Sequence, residues 1–272
     1  MRIILCALLV LGVSTACVTN RSDHYSSSVV KYLYPKQAQP IEVPEIPYLP
    51  LPLRVGIAFV PDDAGSIKAI NEERKVRLMQ TVKKHFSQYK FVKNIEIIPS
   101  AYLQPKGSFA NVDQMATMFG LDVIVLLSYD QSRFTGEGLA SITYWTLIGA
   151  YIVPGEKNDT HTMVDAAVYD VVSHKMLFRA PGVSHIHSTA TPINLSEQLR
   201  KDAQTGFTEA SADLIVALDK KLQAFREKVK TSPKEYRVEH RSGYGGGAMG
   251  WFNMLLLIGL MGVFWRKRHD NA

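Results

Sequence analysis

The chain has 272 residues, of which 31 are basic and 25 are acidic, so its formal net charge at pH 7 is +6. Four basic residues and one acidic residue lie in the two terminal signals described below, which leaves the rest near +3 and argues against a nucleic-acid-binding surface. Both cysteines, Cys6 and Cys17, lie close to the N-terminus, so the remaining chain contains no thiol with which to form a disulfide.

Residues 1–16 are typical of a signal peptide, because a positive charge is followed by an apolar run too short to span a bilayer. The sequence Ser14–Cys17 resembles the lipobox of bacterial lipoproteins, although a leucine is usual where Ser14 stands. The resemblance implies that lipoprotein-processing enzymes cleave before Cys17 and that this residue carries fatty acids such as palmitate. Val18 follows, so the Asp that retains lipoproteins in the inner membrane is absent. The alternative is an ordinary secretory signal with an incidental cysteine.

Residues 17–52 are predicted to form a Ser/Pro-rich tether. Proline recurs at positions 35, 40, 44, 47, 50 and 52. Prolines at this spacing exclude a helix and favour an extended, polyproline-like chain of roughly 3 Å per residue, which would hold the domain away from its membrane. The alternative is an irregular arm packed along the domain, because apolar residues lie among these prolines: Ile41, Val43, Ile46 and Leu49.

Residues 53–230 are predicted to form one α/β (α+β) domain, with a mixed β-sheet and helices packed on it. In chain order, apolar runs and helical periodicity predict a strand over 54–61, a helix over 66–89, a strand over 95–98, a helix over 111–119 and a strand over 122–129. Strands that alternate with helices favour such a layered sheet. The uncharged segment 141–153 is too short for a membrane helix and predicts a long strand or hairpin arm.

The second half of the domain is predicted to contain a hairpin and a long helix. Residues 163–172 and 176–180 are predicted to form the two strands of the hairpin, with side chains that point alternately to its two faces, and residues 173–175 form its turn. Asn194 and Glu197 have the spacing of a capping box. An apolar stripe follows: Leu199, Ala203, Phe207, Ala210, Leu214, Leu218, Leu222, Phe225 and Val229. The pattern resembles the small α/β domains of the curli secretion-channel lipoprotein and of peptidoglycan-synthase activator lipoproteins, whose hairpin turn usually carries a glycine that is absent here.

A basic, Gly-rich linker over 231–247 leads to a predicted transmembrane sorting helix over 248–265 and a basic tail over 266–272. The helix segment is uncharged and just long enough to cross a bilayer core. Trp251 and Trp265 lie near its two ends, where indole rings contact the interfacial region of the membrane lipid. The residues predicted to hold the tail in the cytoplasm are Arg266, Lys267 and Arg268.

This segment resembles the GlyGly-CTERM sorting signal, with Gly245, Gly246 and Gly247 at the outer end of the helix. The resemblance implies removal of the helix by a rhomboid-like intramembrane protease, a rhombosortase, and poor helix formers at this end ease unwinding. With the lipobox, the chain is similar to the rhombotarget lipoprotein family. An inner-membrane precursor would then yield a mature form at the outer membrane or cell surface. The alternative is a permanent anchor with a flexible glycine hinge.

His185 and His187 are weak candidates for a metal site, because they would lie on one face of a strand. The sequence provides no cysteine and no third ligand at a recognisable spacing, and the alternative is a pair of exposed strand histidines. No phosphate-binding loop or nucleophile elbow is found, and neighbouring carboxylates are typical of turns and helix starts. The sequence therefore predicts no catalytic residue and no cofactor.

These observations favour a non-enzymatic envelope module that binds an envelope protein or a second copy of itself through the 141–153 segment, and that has no nucleic-acid partner. The alternative is a periplasmic or surface metal-dependent hydrolase. In that case His185 and His187 would hold zinc.

Overall fold

The computed structural model describes residues 21–35, 45–62, 70–137 and 156–242. The strands are β1 (Arg21–Ser26), β2 (Tyr48–Leu51), β3 (Leu53–Phe59), β4 (Val92–Ile97), β5 (Val123–Glu137), β6 (Glu156–Asp170), β7 (Met176–Ala190) and β8 (Arg237–His240). The helices are α1 (Val29–Leu33), α2 (Glu72–Phe86), α3 (Ser108–Phe119) and α4 (Leu195–Thr231). The chain is therefore an α+β protein with a mixed sheet and helices, as the sequence predicts.

The main sheet has the strand order β4-β3-β5-β6-β7. β3 is parallel to β4 and β5, whereas β6 is antiparallel to β5 and β7. β1 pairs antiparallel with the second half of β5, beyond the end of β3. Because β5, β6 and β7 each have 15 residues, they extend past the shorter parallel strands. We call the region where β1 replaces β3 the distal half of the sheet.

Alternating side chains give the sheet two covered faces. α2 and α4 pack on one of them, named the α4 face, where Phe59, Leu127 and Val164 share a core cluster with Phe207 and Leu214. α1 and α3 pack on the other, named the α3 face. Its core includes Ala58, Ile124, Leu126, Tyr32, Leu33, Phe109 and Val112.

Two glycines allow α4 to lie close against β6 and β7. A Cβ on Gly182 of β7 would stand 2.2 Å from the Ala210 carbonyl oxygen and 2.3 Å from the Leu214 nitrogen, both backbone atoms of α4. A Cβ on Gly206 of α4 would stand 2.6 Å from Oγ1 of Thr162 in β6. The close helix-to-sheet contact therefore depends on residues without a side chain.

The helix starts differ from the sequence predictions. α2 begins after Asn71, whose side chain accepts a hydrogen bond from the Arg74 amide at 3.1 Å. Ser66, where the predicted 66–89 helix starts, lies outside the described residues. The predicted capping box is wrong. The Asn194 carboxamide oxygen accepts instead from the Thr191 amide (2.8 Å) and hydroxyl (3.1 Å), and it caps no amide of α4. Six of the nine residues of the predicted apolar stripe are buried, and Ala203, Phe225 and Val229 are partly buried.

Parts of the segment predicted to be a tether belong to the fold. Arg21–Ser26 pairs with β5, and Val29–Leu33 forms α1, which contributes to the core of the α3 face. Tyr48–Leu51 pairs in parallel with β8 in a second, two-stranded sheet. Over these residues the chain packs along the domain, which corresponds to the alternative of an arm, although the packed parts are regular strands and a helical turn.

The β6–β7 turn contains His174 in a left-handed conformation. The Asp170 carboxylate accepts hydrogen bonds from the Ser173 amide (2.8 Å) and hydroxyl (2.5 Å). His174 follows with a left-handed φ of 55°, a conformation that His adopts more often than most residues. Its ring stacks on Phe109 at a centroid distance of 4.4 Å, and its Nε2 lies 2.8 Å from Asp113. Contacts with α3 thus offset the strain of this turn.

An ion cluster joins the C-terminal end of the described chain to the sheet. Asp122, whose side chain is 7% exposed, accepts hydrogen bonds from Arg241 at 2.8 and 2.9 Å. The side chain of Arg54 donates to the same carboxylate at 2.9 and 3.4 Å, and its amide donates at 2.8 Å. Burial opposes ionisation, but the hydrogen bonds from Arg241 and Arg54 outweigh it and hold the pKa of Asp122 below its usual range.

No helix in the four described ranges is both long enough and apolar enough to cross a membrane. The predicted signal peptide, Cys17, the 141–153 strand and the C-terminal sorting segment lie outside those ranges. They stay predictions.

Replacing Gly182 with Ala should lower the free energy of unfolding by more than about 2 kcal/mol, because the new Cβ would overlap backbone atoms of α4. Gly56→Ala is the matched control, since its Cβ would meet the movable end of the Leu121 side chain at 2.5 Å. Urea unfolding followed by circular dichroism measures both variants. Equal losses would contradict the close packing of α4 on β7.

Replacing Arg241 with Gln should lower the unfolding free energy at pH 7 by roughly 1–2 kcal/mol, because Asp122 loses a charged partner. The pKa of Asp122 is depressed in the folded state, so its ion pairs stabilise the fold above about pH 4 and are lost as the pH falls through the folded-state pKa. The difference in unfolding free energy between the variant and the wild type, measured by urea titration, should therefore shrink as the pH falls from 5 to 2. A gap independent of pH would show that Arg241 acts through packing alone.

Candidate metal-binding site

The distal half of the α3 face carries four histidines. One row across β1, β5, β6 and β7 consists of His24, Ser132, His161 and His185. The next row consists of Ser22, Phe134, Asp159 and His187. Residues two apart in a strand point to the same face, so both rows form one surface, which we name the histidine face. The intervening Thr160 and Thr162 are buried on the α4 face.

Asp159 lies at the centre of a three-histidine cluster on this surface. Its Oδ1 contacts Nε2 of His185 and lies 3.4 Å from Nε2 of His161 and 3.5 Å from Nδ1 of His187. The rings of His161 and His185 stack at a centroid distance of 3.8 Å, and the rings of His185 and His187 are 4.0 Å apart. One carboxylate oxygen therefore faces three imidazoles from two neighbouring strands.

The cluster brings together three side chains that can bind a metal ion, and one of its spacings matches tetrahedral geometry. The ligand atoms of Asp159, His161 and His185 all lie within 4.8 Å of one another. Zinc bonds of about 2.0–2.2 Å place tetrahedral ligand atoms roughly 3.3–3.6 Å apart, and the 3.4 Å between Asp159 and His161 falls in that range. Imidazole and carboxylate ligands suit zinc and other first-row transition ions. Three protein ligands leave a fourth position for water or for His187.

The cluster is open to solvent. The side chains of Asp159, His161 and His185 are 38%, 51% and 43% exposed, and that of His187 is 69% exposed. Imidazoles bind a metal only when unprotonated, so the affinity of such a site falls in acid.

The structure places the sequence candidates His185 and His187 on one face of β7 and brings Asp159 and His161 to them. The sequence analysis missed these two residues because they belong to the neighbouring strand, and Asp159 stands 26 positions before His185. The sequence did contain one signal for them: Asp159 and His161 are two residues apart, the spacing that places two side chains on one face of a strand. The predicted lipidation residue, the sorting glycines and the residues at the membrane interface lie outside the described residues.

The described residues thus define an α+β domain with a candidate metal-binding surface. No family model matches the sequence, and no curated protein matches it. Among solved structures, the PelC L103M dodecamer from Paraburkholderia phytofirmans is similar at 12% identity and a TM-score of 0.30, covering 72% of this chain and 97% of that one. A putative neuraminyllactose-binding hemagglutinin homolog from Helicobacter pylori is similar at 11% identity and a TM-score of 0.36, with the same coverages. Scores this low support no argument about fold or function.

The protein should bind one Zn²⁺ per chain at pH 7.5, and His161→Ala should weaken that binding at least about tenfold by removing a ligand. His24→Ala is the matched control, because His24 lies in the same row, is 57% exposed and pairs with Asp130 at 2.9 Å instead of with the cluster. Isothermal titration calorimetry of zinc into each protein measures the affinities. Equal affinity in the two variants, or no zinc bound by the wild type, would overturn the site.

Proposed function

We propose that this chain is the precursor of an exported envelope lipoprotein whose folded domain is a non-enzymatic binding module that holds a transition-metal ion. The observation that carries the binding role is the Asp159 carboxylate facing three imidazoles on an open sheet surface. The two sequence signals support the location: the lipobox at Ser14–Cys17 and the Gly-rich, apolar and basic C-terminus. The uncharged 141–153 segment is the proposed contact for an envelope partner or a second copy.

Processing would occur at both ends of the precursor. Lipoprotein-processing enzymes would acylate Cys17, and a rhomboid-like protease would cut near Gly245–Gly247. A membrane helix cannot cross the aqueous periplasm with its apolar surface exposed, so loss of the helix would free the lipidated protein for the outer membrane. The first part of the predicted 231–247 linker belongs to the fold, because it contains β8, and the Asp122–Arg241 ion pair fixes the chain just before the Gly-rich part. A membrane anchor on the rest of the linker would then leave the pairing of β8 with β2 intact.

Intact-mass spectrometry of the protein purified from membranes of its own host tests the processing. The expected mass starts at an acylated Cys17 and ends within the Gly-rich linker. The Cys17→Ser variant should lose the acyl mass while its C-terminus is still trimmed, since the two signals act at opposite ends. In cells that lack the protease, the protein should fractionate with the inner membrane. Recovery of a chain that keeps Ala272 and has an unmodified Cys17 would contradict the proposal.

The same metal ligands favour one second candidate, a metal-dependent hydrolase, because catalytic zinc sites have three protein ligands and an open position. We assay the zinc-loaded protein against chromogenic carboxylic and phosphoric esters, with His185→Ala as the control. Binding without catalysis predicts the same turnover in both proteins. Zinc-dependent turnover that disappears in His185→Ala would favour the hydrolase.

A further inference from the structure

An apolar cavity lies on the α4 face, beneath the C-terminal half of α4 and on the side of the sheet opposite the histidine face. Its volume is about 350 Å³, within the range of small-molecule sites. Strands β2 to β8 and helices α2 and α4 all contribute to its wall, which is almost entirely apolar. Representative wall residues are Leu51, Val92, Leu177, Phe178 and Val229, each only partly buried. Protein interiors rarely leave an apolar space of this size unfilled.

Only two residues of the wall are charged, and both are cations on α4. Arg226 and Lys230 are one helical turn apart, so their side chains lie on the same side of the helix. The Arg226 guanidinium lies 5.4 Å from the centre of the Phe91 ring and donates to the neutral Gln223 side chain at 3.0 Å. Within the described ranges, Arg226 forms no ion pair with a carboxylate.

Lys230 forms an ion pair that is exposed to solvent and therefore weak. Its ammonium lies 2.8 Å from Glu227, and these two side chains are 63% and 68% exposed. Exposed ion pairs of this kind contribute little, so an anionic ligand can replace Glu227 at small cost. The rim of the cavity therefore offers two positive charges above an apolar interior.

We propose that this cavity binds a free long-chain fatty acid, with its carboxylate between Arg226 and Lys230 and its hydrocarbon chain between α4 and the sheet. A carboxylate is the head group that matches a guanidinium and an ammonium through charged hydrogen bonds. The unbranched tail needs no polar partner in the wall and gains free energy from burial. The site is separate from the metal cluster, which lies on the other face of the sheet, so neither proposal depends on the other.

The test uses cells that express the full chain with Cys17→Ser, so that no label can enter through the proposed acyl group at that residue. The cells receive palmitic acid carrying a photoactivatable diazirine and an alkyne, and after illumination the labelled peptides are mapped by mass spectrometry. The labels should fall on wall segments that include Phe178 of β7 and Val229 of α4. Labelling should fall about tenfold in Arg226→Glu, because the carboxylate loses its charged hydrogen bonds. Arg200→Glu changes the same charge on an exposed part of α4 outside the cavity wall and should leave labelling unchanged.

A second variant tests the tail. Val229→Trp fills part of the cavity while leaving both cations, and it should reduce labelling to a similar extent. Unlabelled palmitate should compete for the site at least about tenfold better than hexadecanol, which has the same tail without a charge. Equal labelling in all variants, labels outside the wall, or equal competition by hexadecanol would overturn the proposal.

Discussion

The antiparallel pairing of β6 with β7 is the interaction on which the other features depend. It continues over 15-residue strands and holds the hairpin well beyond the short parallel strands β3 and β4. Because the side chains alternate between the two faces, this pairing directs one set of residues to α4 and the other to the histidine face. A shift of the β6–β7 register by one residue would move each side chain to the opposite face. Because α4 buries one set of side chains, the register is fixed, and so is the position of the candidate metal ligands.

Hydrogen bonds between buried and partly buried side chains contribute to the packing of the distal hairpin against its neighbours. The Gln131 amide donates to Thr162 at 2.9 Å, and both side chains are buried. Further along, the Ser188 hydroxyl donates at 2.5 Å to Asp202, which also accepts from Gln198 of α4 at 2.9 Å. Satisfied polar groups of this kind specify one arrangement of helix and strands. They tie the first turns of α4 to the hairpin that carries the histidines.

The two faces of one sheet therefore offer different chemistry. The histidine face has exposed imidazole and carboxylate ligands in neighbouring strands, whereas the α4 face has an apolar cavity with cations at its rim. Each feature is a candidate site for a small ligand, and the two sites lie on opposite faces of the sheet. The terminal signals add the expectation that this happens at a membrane. The ion cluster of Asp122 with Arg54 and Arg241 would keep the folded part intact while the tail is held and cut.

The sequence by itself determined the class of the fold, most strands and helices of the main sheet, and the shared face of His185 and His187, because these follow from local periodicity. It also predicts the two terminal signals, because such motifs are read from local residues. Only the tertiary structure decided which residues of neighbouring strands lie opposite the histidines. The predicted turn at 173–175, extended outward, would pair His187 with His161, whereas the observed register pairs His185 with His161 and His187 with Asp159. The observed turn lies closer to Asp170, so that Tyr169 pairs with Met176, three residues from the predicted register, and a one-residue irregularity after this pair reduces the difference to two. A difference of two keeps every side chain on its face while changing its neighbour.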